Sequence, residues 1–360
     1  MCSSDLVGTD KPVSVSGISI TGGDDAGNYV LGNATASTTA TITARTLTVT
    51  ATGVDRTYDG TTTATVTLST DKVGGDDVTV GATSASFGSK TVGVDKPVSV
   101  TGISITGGAD ATNYTLGNAT ASTTATITAR TLTVSDATPT DRPYNGTTSV
   151  AITGATLVNT VTGDDVTLAD ADTGTIATAS VGADKPVTTA FTITGADTGN
   201  YALVQPTDLT VDITQAATTV TITCPPSVVY SGAAQTPCTA SVTGAGGLDE
   251  ALIVSYGPNT NVGTVNVSAS YAGTSDYAAD TDSTSFDITA KTLTVTATGV
   301  DRTYDGTATA TVTLSTDKVG GDDVTVEATS ASFGSKTVGT DKPVSVSGIA
   351  ITGGDDAGNY

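Results

Sequence analysis

The segment 45–62, R-T-L-T-V-T-A-T-G-V-D-R-T-Y-D-G-T-T, returns at 291–308 with only its two end residues changed. A looser copy fills 130–148, where Tyr144-Asn145-Gly146 stands in the place of Tyr58-Asp59-Gly60. A chain that repeats itself in this way is an array of one folding unit. The period is about 85 residues, longer than the roughly 20–50 residues of solenoid repeats. Each unit is therefore long enough to close its own core, and the array reads as beads. A single parallel β-helix would need a repeat of roughly 20–25 residues, which the chain lacks.

Residues 1–6 (M-C-S-S-D-L) match no later repeat and read as sequence foreign to the array, so Cys2 carries no structural expectation. Residues 7–43 are the back half of one module, 44–128 a whole module, and 129–214 a diverged whole module. Residues 215–289 differ in kind: shorter, richer in Tyr, and holding Cys224 and Cys238. Residues 290–360 restart the first type and stop before its closing strands. The joints at 42–47, 127–132 and 288–293 contain no Gly, Pro or Ser spacer. Short joints restrict the angle between neighbours, so a stiff rod is expected, each bead adding roughly 30–40 Å at ~3.4 Å per strand residue.

Within one unit, apolar residues alternate with Thr or Ser: Thr46-Leu47-Thr48-Val49-Thr50, Ala64-Thr65-Val66-Thr67-Leu68, Val98-Ser99-Val100, Ala125-Thr126-Ile127-Thr128. That is the period of half-buried antiparallel strands, and short strands cut by Gly/Asp turns suggest a two-sheet sandwich. Composition agrees. Nearly all the acids are Asp, which favours turns, and only Glu250 and Glu327 are Glu. With 41 Gly and abundant Thr and Val, little helix is expected. Trp is absent and aromatics make up 4%, so the cores must be aliphatic.

The net charge of -22 argues against nucleic acid and anionic lipid as partners. No stretch approaches 18 apolar residues, so no membrane-inserted segment is expected. His is 0, which removes the usual proton shuttle and the commonest metal ligand. No G-x-S-x-G or comparable nucleophile motif occurs, and the acids are repeated rather than unique. The chain reads as a protein that is not an enzyme.

Three recurring motifs remain. Tyr58-Asp59-Gly60, Tyr144-Asn145-Gly146, Tyr230-Ser231-Gly232 and Tyr304-Asp305-Gly306 accept Asp, Asn or Ser at the centre, which suits a turn with Gly at positive φ better than a ligand or a base. D-x-x-x-Y-x-L, around Tyr29, Tyr114 and Tyr201, resembles the tyrosine corner of immunoglobulin domains, with Leu31, Leu116 and Leu203 where those domains carry a Cys. Asp276-Tyr277 is a weaker form. The pairs Asp76-Asp77, Asp164-Asp165 and Asp322-Asp323 are either solvated turns or candidate calcium ligands, with Asp71, Asp95 or Asp317 as third donors. Calcium wants six to eight oxygens. Cys224 and Cys238 are either a disulfide, which over such a loop adds about 3 kcal/mol, or two buried thiols. Lys96, Lys185 and Lys342 precede Pro, and no acid is visible beside them for an internal isopeptide bond.

Taken in order, Tyr-Asp-Gly-Thr-Thr, Gly-Asp-Asp-Val, Val-Gly-x-Asp-Lys-Pro-Val and Asp-Ala-x-Asn-Tyr-x-Leu resemble the YDG repeat. Residues 44–214 and 290–360 carry that resemblance. Residues 215–289, with Val229-Tyr230-Ser231-Gly232 and Gly263-Thr264-Val265, resemble the MBG module, a bacterial immunoglobulin-like domain. The resemblance implies an all-β tandem array of immunoglobulin-like antiparallel β-sandwich modules in an extended rod, from a large bacterial surface or secreted protein of the adhesin kind. It implies no catalytic residue and no cofactor beyond the calcium weighed above.

Two functions follow as expectations. The first is a stalk or spacer, whose partners are other modules of the same longer chain. Residues 44–128 and 290–360 differ at about eight of the seventy positions they share, as length rather than distinct surfaces would require. The second is an adhesive module gripping a host glycan or surface protein at 215–289, through Tyr230, Tyr256, Tyr271 and Tyr277. Exposed rings would favour binding and buried rings the spacer.

Overall fold

The computed structural model describes residues 6–360; Cys2 and the rest of the foreign-looking opening, apart from Leu6, lie outside them. Among the described residues the elements are short strands and single 3-10 turns. No helix is long and apolar enough to cross a membrane. The chain forms two compact units, and residues 129–214 are divided between them.

Of the described residues, the first unit comprises 6–138, 152–174 and 189–207. Its whole module, 44–128, holds four small sheets. Val49–Val54 pairs antiparallel with Thr65–Thr70, Thr79–Gly81 antiparallel with Ser104–Gly107, and Arg45–Leu47 parallel with Tyr114–Leu116. The fourth has four strands in the order Arg56–Thr57, Thr120–Thr128, Gly93–Thr101, Ser84–Phe87. Alternation decides what faces inward: Val49, Phe87, Val98, Val100, Ala125 and Ile127 are buried, while the Thr and Ser between them point outward. Burial of such apolar side chains is worth about 1.5–3 kcal/mol each, and the core is not wholly aliphatic as composition suggested, because the rings of Phe87 and Tyr58 share it. Leu132 and Tyr201, from the following repeat, belong to the same buried cluster. Leu47, Val78 and Tyr114 form a smaller one.

The second unit comprises residues 139–151, 175–188 and 208–360. In it, 215–289 pairs Thr218–Thr223, Thr239–Gly244 and Leu248–Leu252 as one sheet, and Ser227–Val229, Asp280–Thr289, Gly263–Tyr271 and Ser255–Tyr256 as the other. Val265, Val267, Phe286 and Ile288 fill one side of its core, and Val220, Val242 and Leu248 the other. Cys224 and Cys238 are joined in a disulfide. Residues 290–360 fold as two hairpins, Val295–Val300 with Thr311–Thr316 and Thr325–Phe333 with Val344–Gly353.

The pairing is not wholly antiparallel, as the alternation alone suggested. Arg56–Thr57 runs parallel to Thr120–Thr128, Arg142–Pro143 to Thr210–Thr214, and Ser227–Val229 to Asp280–Thr289. A parallel pair needs a long crossover, and in each case most of the module's chain supplies it. A period-2 pattern fixes which face is buried and is silent on strand direction.

Candidate functional site

The repeated motifs meet where one module ends and the next begins. In the first unit, Tyr58 is fully buried. Its hydroxyl donates to Asp164 Oδ2 of the following module at 2.7 Å, and Tyr201 donates to the same oxygen at 2.7 Å. The two rings meet edge to face, centroids 5.5 Å apart. Lys90 Nζ lies 2.9 Å from Asp164 Oδ1 and 3.8 Å from Asp197, and 6.0 Å from the centroid of the Tyr58 ring. Beside them Val92 N donates to Asn200 Oδ1 at 3.0 Å. Asn200 is one of the two polar residues buried as whole residues among those described; Asn359 is the other.

Local chemistry sets each part. Asp59 accepts from the N–H and the hydroxyl of Thr61, both at 2.9 Å, an Asx turn. It also pairs with Arg56, whose guanidinium lies over Phe87. Asn145 and Asp305 make the same bonds to Thr147 and Thr307. Gly60, at φ +81°, closes this turn against the next module: a Cβ there would sit 2.6 Å from Val161 Cγ1. The partner loop is Val161-Thr162-Gly163-Asp164, in which Asp164 N donates to Val161 O. It wraps the Tyr201 hydroxyl, which accepts from Val161 N at 3.0 Å while donating to Asp164. The corner tyrosine thus bonds backbone about 40 residues upstream, not a few residues away as in an immunoglobulin corner. Tyr114 does the same with Val73 and Asp76.

The second unit repeats the arrangement between 215–289 and 290–360. Tyr230 donates to Asp322 Oδ2 at 3.0 Å and Tyr360 at 2.6 Å. Their rings are edge to face at 5.6 Å. Val262 N donates to Asn359 Oδ1 at 2.9 Å, and a Cβ on Gly232 would meet Val319 at 2.6 Å. A third joint, also within this unit, is a variant. Tyr144 packs edge to face on Tyr277 at 5.2 Å, and Val181 N donates to Asp276 Oδ1 at 2.8 Å. Here no carboxylate receives the tyrosines; Gly246 lies against Gly146, and Tyr277 donates to Ala245 O.

Burial by itself would push the Asp164 carboxyl up, but hydrogen bonds from Lys90, Tyr201 and Tyr58 outweigh it and hold the group below its ordinary value of 3.8. The same contact raises Lys90, through its bond to Asp164 first and Tyr58 second. Burial, then the bond to Asp164, pushes the Tyr201 hydroxyl up to about 12. Burial, then Asp322, does the same for Tyr230, to about 12. These are tight proton donors around a fixed anion, not a poised acid and base.

The paired acids are thereby occupied. Asp76, Asp164 and Asp322 receive tyrosine hydroxyls. Asp77, Asp165 and Asp323 donate their N–H groups to Oδ2 of Asp110, Asp197 and Asp356, and their own carboxylates accept from Ala109, Ala196 and Asp355 N. Asp71 and Asp317 accept from Thr48 N and Thr294 N. Where a cation would stand between Asp164 and Asp197, the Lys90 ammonium stands. Among the described residues no three His, Cys, Asp or Glu side chains gather as a metal ion would require. This geometry does not bring the calcium candidates together: Asp76, Asp164 and Asp322 already hold tyrosine hydroxyls, and Lys90 fills the place between Asp164 and Asp197.

Three of the motif tyrosines lie outside the three joints: Tyr29 is 70% exposed and Tyr304 60%, while Tyr114 is buried within its own module. The tyrosine and aspartate motifs were visible in the sequence; that they address each other across modules was not. Lys90 and the Asn of Asn-Tyr were missed altogether. The recurrence of Asn28, Asn113, Asn200 and Asn359 directly before the corner Tyr was the available signal.

A profile of the YDG domain matches residues 43–125, 128–209 and 289–360, about two thirds of the chain. The chain belongs to the YDG domain family. No curated protein matches it. The signature tyrosine of the YDG modules at 44–128 is thus a joint residue, reaching the Gly-Asp-Asp loop of the YDG module that follows. The stretch 210–288, outside the three matches, keeps the joint chemistry through Tyr230, Val262 and Asp276-Tyr277.

Proposed function

We propose that this chain is a non-enzymatic spacer segment of a bacterial cell-surface or secreted adhesin-like protein, with 215–289 an MBG-type immunoglobulin-like module set among YDG modules. The observation that carries the reading is the use made of the signature residues. Tyr58, Asp164 and Tyr201, and again Tyr230, Asp322 and Tyr360, spend their polar groups on holding one module to the next. A chain whose recurring polar residues serve its own joints is built for length and stiffness. An extracellular setting suits the Cys224–Cys238 disulfide.

The rival reading, an adhesive face on 215–289, needs exposed aromatic rings. Tyr230 is buried, Tyr256 packs on Phe286 and bonds the backbone of Cys238, and Tyr277 packs on Tyr144. Tyr271 is half-buried against Val242 and its neighbours. That distribution favours the spacer.

Small-angle scattering of the whole chain, with and without calcium, tests the reading. An elongated particle that calcium leaves unchanged is expected. A compact particle removes the spacer, and a calcium-induced extension reassigns the stiffening to metal.

A further inference from the structure

The diverged module carries the one Asn-Gly pair in the chain, Asn145-Gly146, where 44–128 and 290–360 carry Asp59-Gly60 and Asp305-Gly306. Asn is among the chemically labile residues. Before a Gly it is most so, because the next main-chain nitrogen can close on the side-chain amide with no side chain to hinder it. In this turn the amide is held for that reaction. Asn145 Oδ1 accepts from Arg142 Nη1 at 2.6 Å, from Thr147 N at 3.0 Å and from Thr147 Oγ1 at 2.9 Å. Arg142 is itself fixed, donating through Nη2 to Thr147 O at 2.7 Å and to Ser149 O at 3.1 Å. The Asx turn folds the side chain back along the main chain that follows it, which here begins with Gly146. Among the described residues no group accepts from the Gly146 N–H. Asn145 and Gly146 are both exposed, so water and hydroxide reach them. Gly246 across the joint does not crowd the nitrogen; a Cβ there would stand 3.2 Å from Gly146 N.

We propose that Asn145 is a self-modification site, deamidated by attack of Gly146 N on Asn145 Cγ, with Arg142 and Thr147 forming an oxyanion cradle. Hydroxide removes the Gly146 N–H proton. The nitrogen lone pair forms the bond to Cγ, and the carbonyl pair moves onto Oδ1, the atom the donors surround. Collapse restores the carbonyl and breaks the Cγ–Nδ2 bond; Nδ2 takes a proton from water and leaves as ammonia. Water then opens the cyclic imide. The net change consumes one water, releases one ammonia and turns the amide into an acid, with no oxidant or cofactor. The cradle does more than hold the reactant, since hydrogen bonds to an anion are roughly twice as strong as those to a neutral carbonyl, and only that difference speeds the step. The same donors select the product. They polarise the imide carbonyl that came from Cγ, so water adds there and leaves ordinary aspartate. Addition at the main-chain carbonyl would give isoaspartate and lengthen the backbone by a methylene. Aspartate fits this turn, as Asp59 and Asp305 show by accepting from Thr61 and Thr307 and pairing with Arg56 and Arg302. Deamidation thus converts the Tyr-Asn-Gly of the diverged module into the Tyr-Asp-Gly of its neighbours. Asp59 and Asp305 do not follow the same course, because a carboxylate is a poor electrophile.

Incubation of the whole chain in warm, mildly alkaline buffer, followed over time by peptide mass mapping and a separate assay for isoaspartate, tests the proposal. The same chain in guanidinium chloride is the unfolded reference. The folded chain should gain the amide-to-acid mass step at Asn145 and at no other asparagine. It should do so at least about tenfold faster than the unfolded chain, a lower bound for what an oxyanion donor supplies, and yield mainly aspartate. Arg142→Gln should slow the folded reaction about tenfold, as loss of a bond to a charged group does, and leave the unfolded rate unchanged. Because Arg142 also braces the turn, Thr147→Val is the second variant: it removes the hydroxyl donor, keeps the Thr147 N–H, and should slow the folded reaction in the same sense. Asn145→Asp, the product made directly, should melt no lower than the parent. A folded chain that deamidates no faster than the unfolded one overturns the proposal. So do two variants that leave the folded rate unchanged, isoaspartate as the main folded product, or an Asn145→Asp chain that melts below the parent. The spacer reading stands apart from all of these results.

Discussion

At the scale of single residues, the joint is a carboxylate ringed by donors, and its energetics follow from burial. The Asp164 side chain is 3% exposed, so removing one donor leaves a partly unsatisfied anion out of water. Tyr58→Phe should lower stability by about 1–3 kcal/mol, read from denaturant melts. Tyr304→Phe, the same change on an exposed ring, should stay within about 0.5 kcal/mol. The joint should also respond to pH at both ends. Asp164 is held below its ordinary 3.8 in the folded chain, so the unfolded chain takes up the proton first. Its contribution is complete above that value and is lost as pH falls through the lower folded one. Tyr201 and Tyr230, raised from 10.0 to about 12, contribute fully below pH 10 and lose that contribution as pH rises through about 12. Melting temperatures across pH 2–12 should form a plateau falling at both edges, and Tyr201→Phe should flatten part of the alkaline fall. A flat acid limb would mean that Asp164 carries no differential charge. The identities of these residues could be read from the sequence because they recur. Their partnership could not, since Tyr58 and Asp164 stand 106 positions apart and no local pattern links them.

At the scale of elements, the Tyr-x-Gly turn serves two ends that the sequence does not separate. Asp59 and Gly60 make a turn that any hairpin could use, and the tolerance for Asn145 and Ser231 pointed to that use alone. The structure adds the close approach of Gly60 to Val161 across the joint. Gly60 and Gly306 distinguish the two contributions, because their backbone is alike, φ +81° and +82°, while their surroundings differ. Gly306→Ala should cost about 1 kcal/mol or somewhat more for a side chain at positive φ. Gly60→Ala should cost that and a further increment for the 2.6 Å contact with Val161. The difference between the two melts measures the joint; equal losses would show that the neighbouring loop gives way without resistance. Strand direction was the other feature hidden at this scale. Alternating Thr and Val announced two-faced strands, yet Arg56–Thr57 lies parallel to Thr120–Thr128 because pairing across a whole module depends on where the chain returns, not on its period.

At the scale of the whole molecule, repeats make stability a sum of module terms and joint terms, as in other tandem arrays. Their period exposed the array, and the joints without spacers implied restraint. Hidden was the extent of sharing: Leu132 and Tyr201 complete a core that begins at Val49, so the compact units do not follow the repeat boundaries. Restraint at the joints therefore comes from common burial and shared carboxylates as much as from short connections. The joint built on Tyr58, Asp164 and Tyr201 and the one built on Tyr230, Asp322 and Tyr360 lie in different units and have no residue in common. Losses at independent sites add to within about 0.3–0.5 kcal/mol. Tyr58→Phe combined with Tyr230→Phe should therefore cost the sum of the two single changes, whereas Tyr58→Phe combined with Tyr201→Phe, which remove donors from one oxygen, should depart from the sum. Differential scanning calorimetry of the two double variants reads both. Strict additivity within the Asp164 joint would mean that its tyrosines act separately, and the picture of one shared anion fastening two modules would fail.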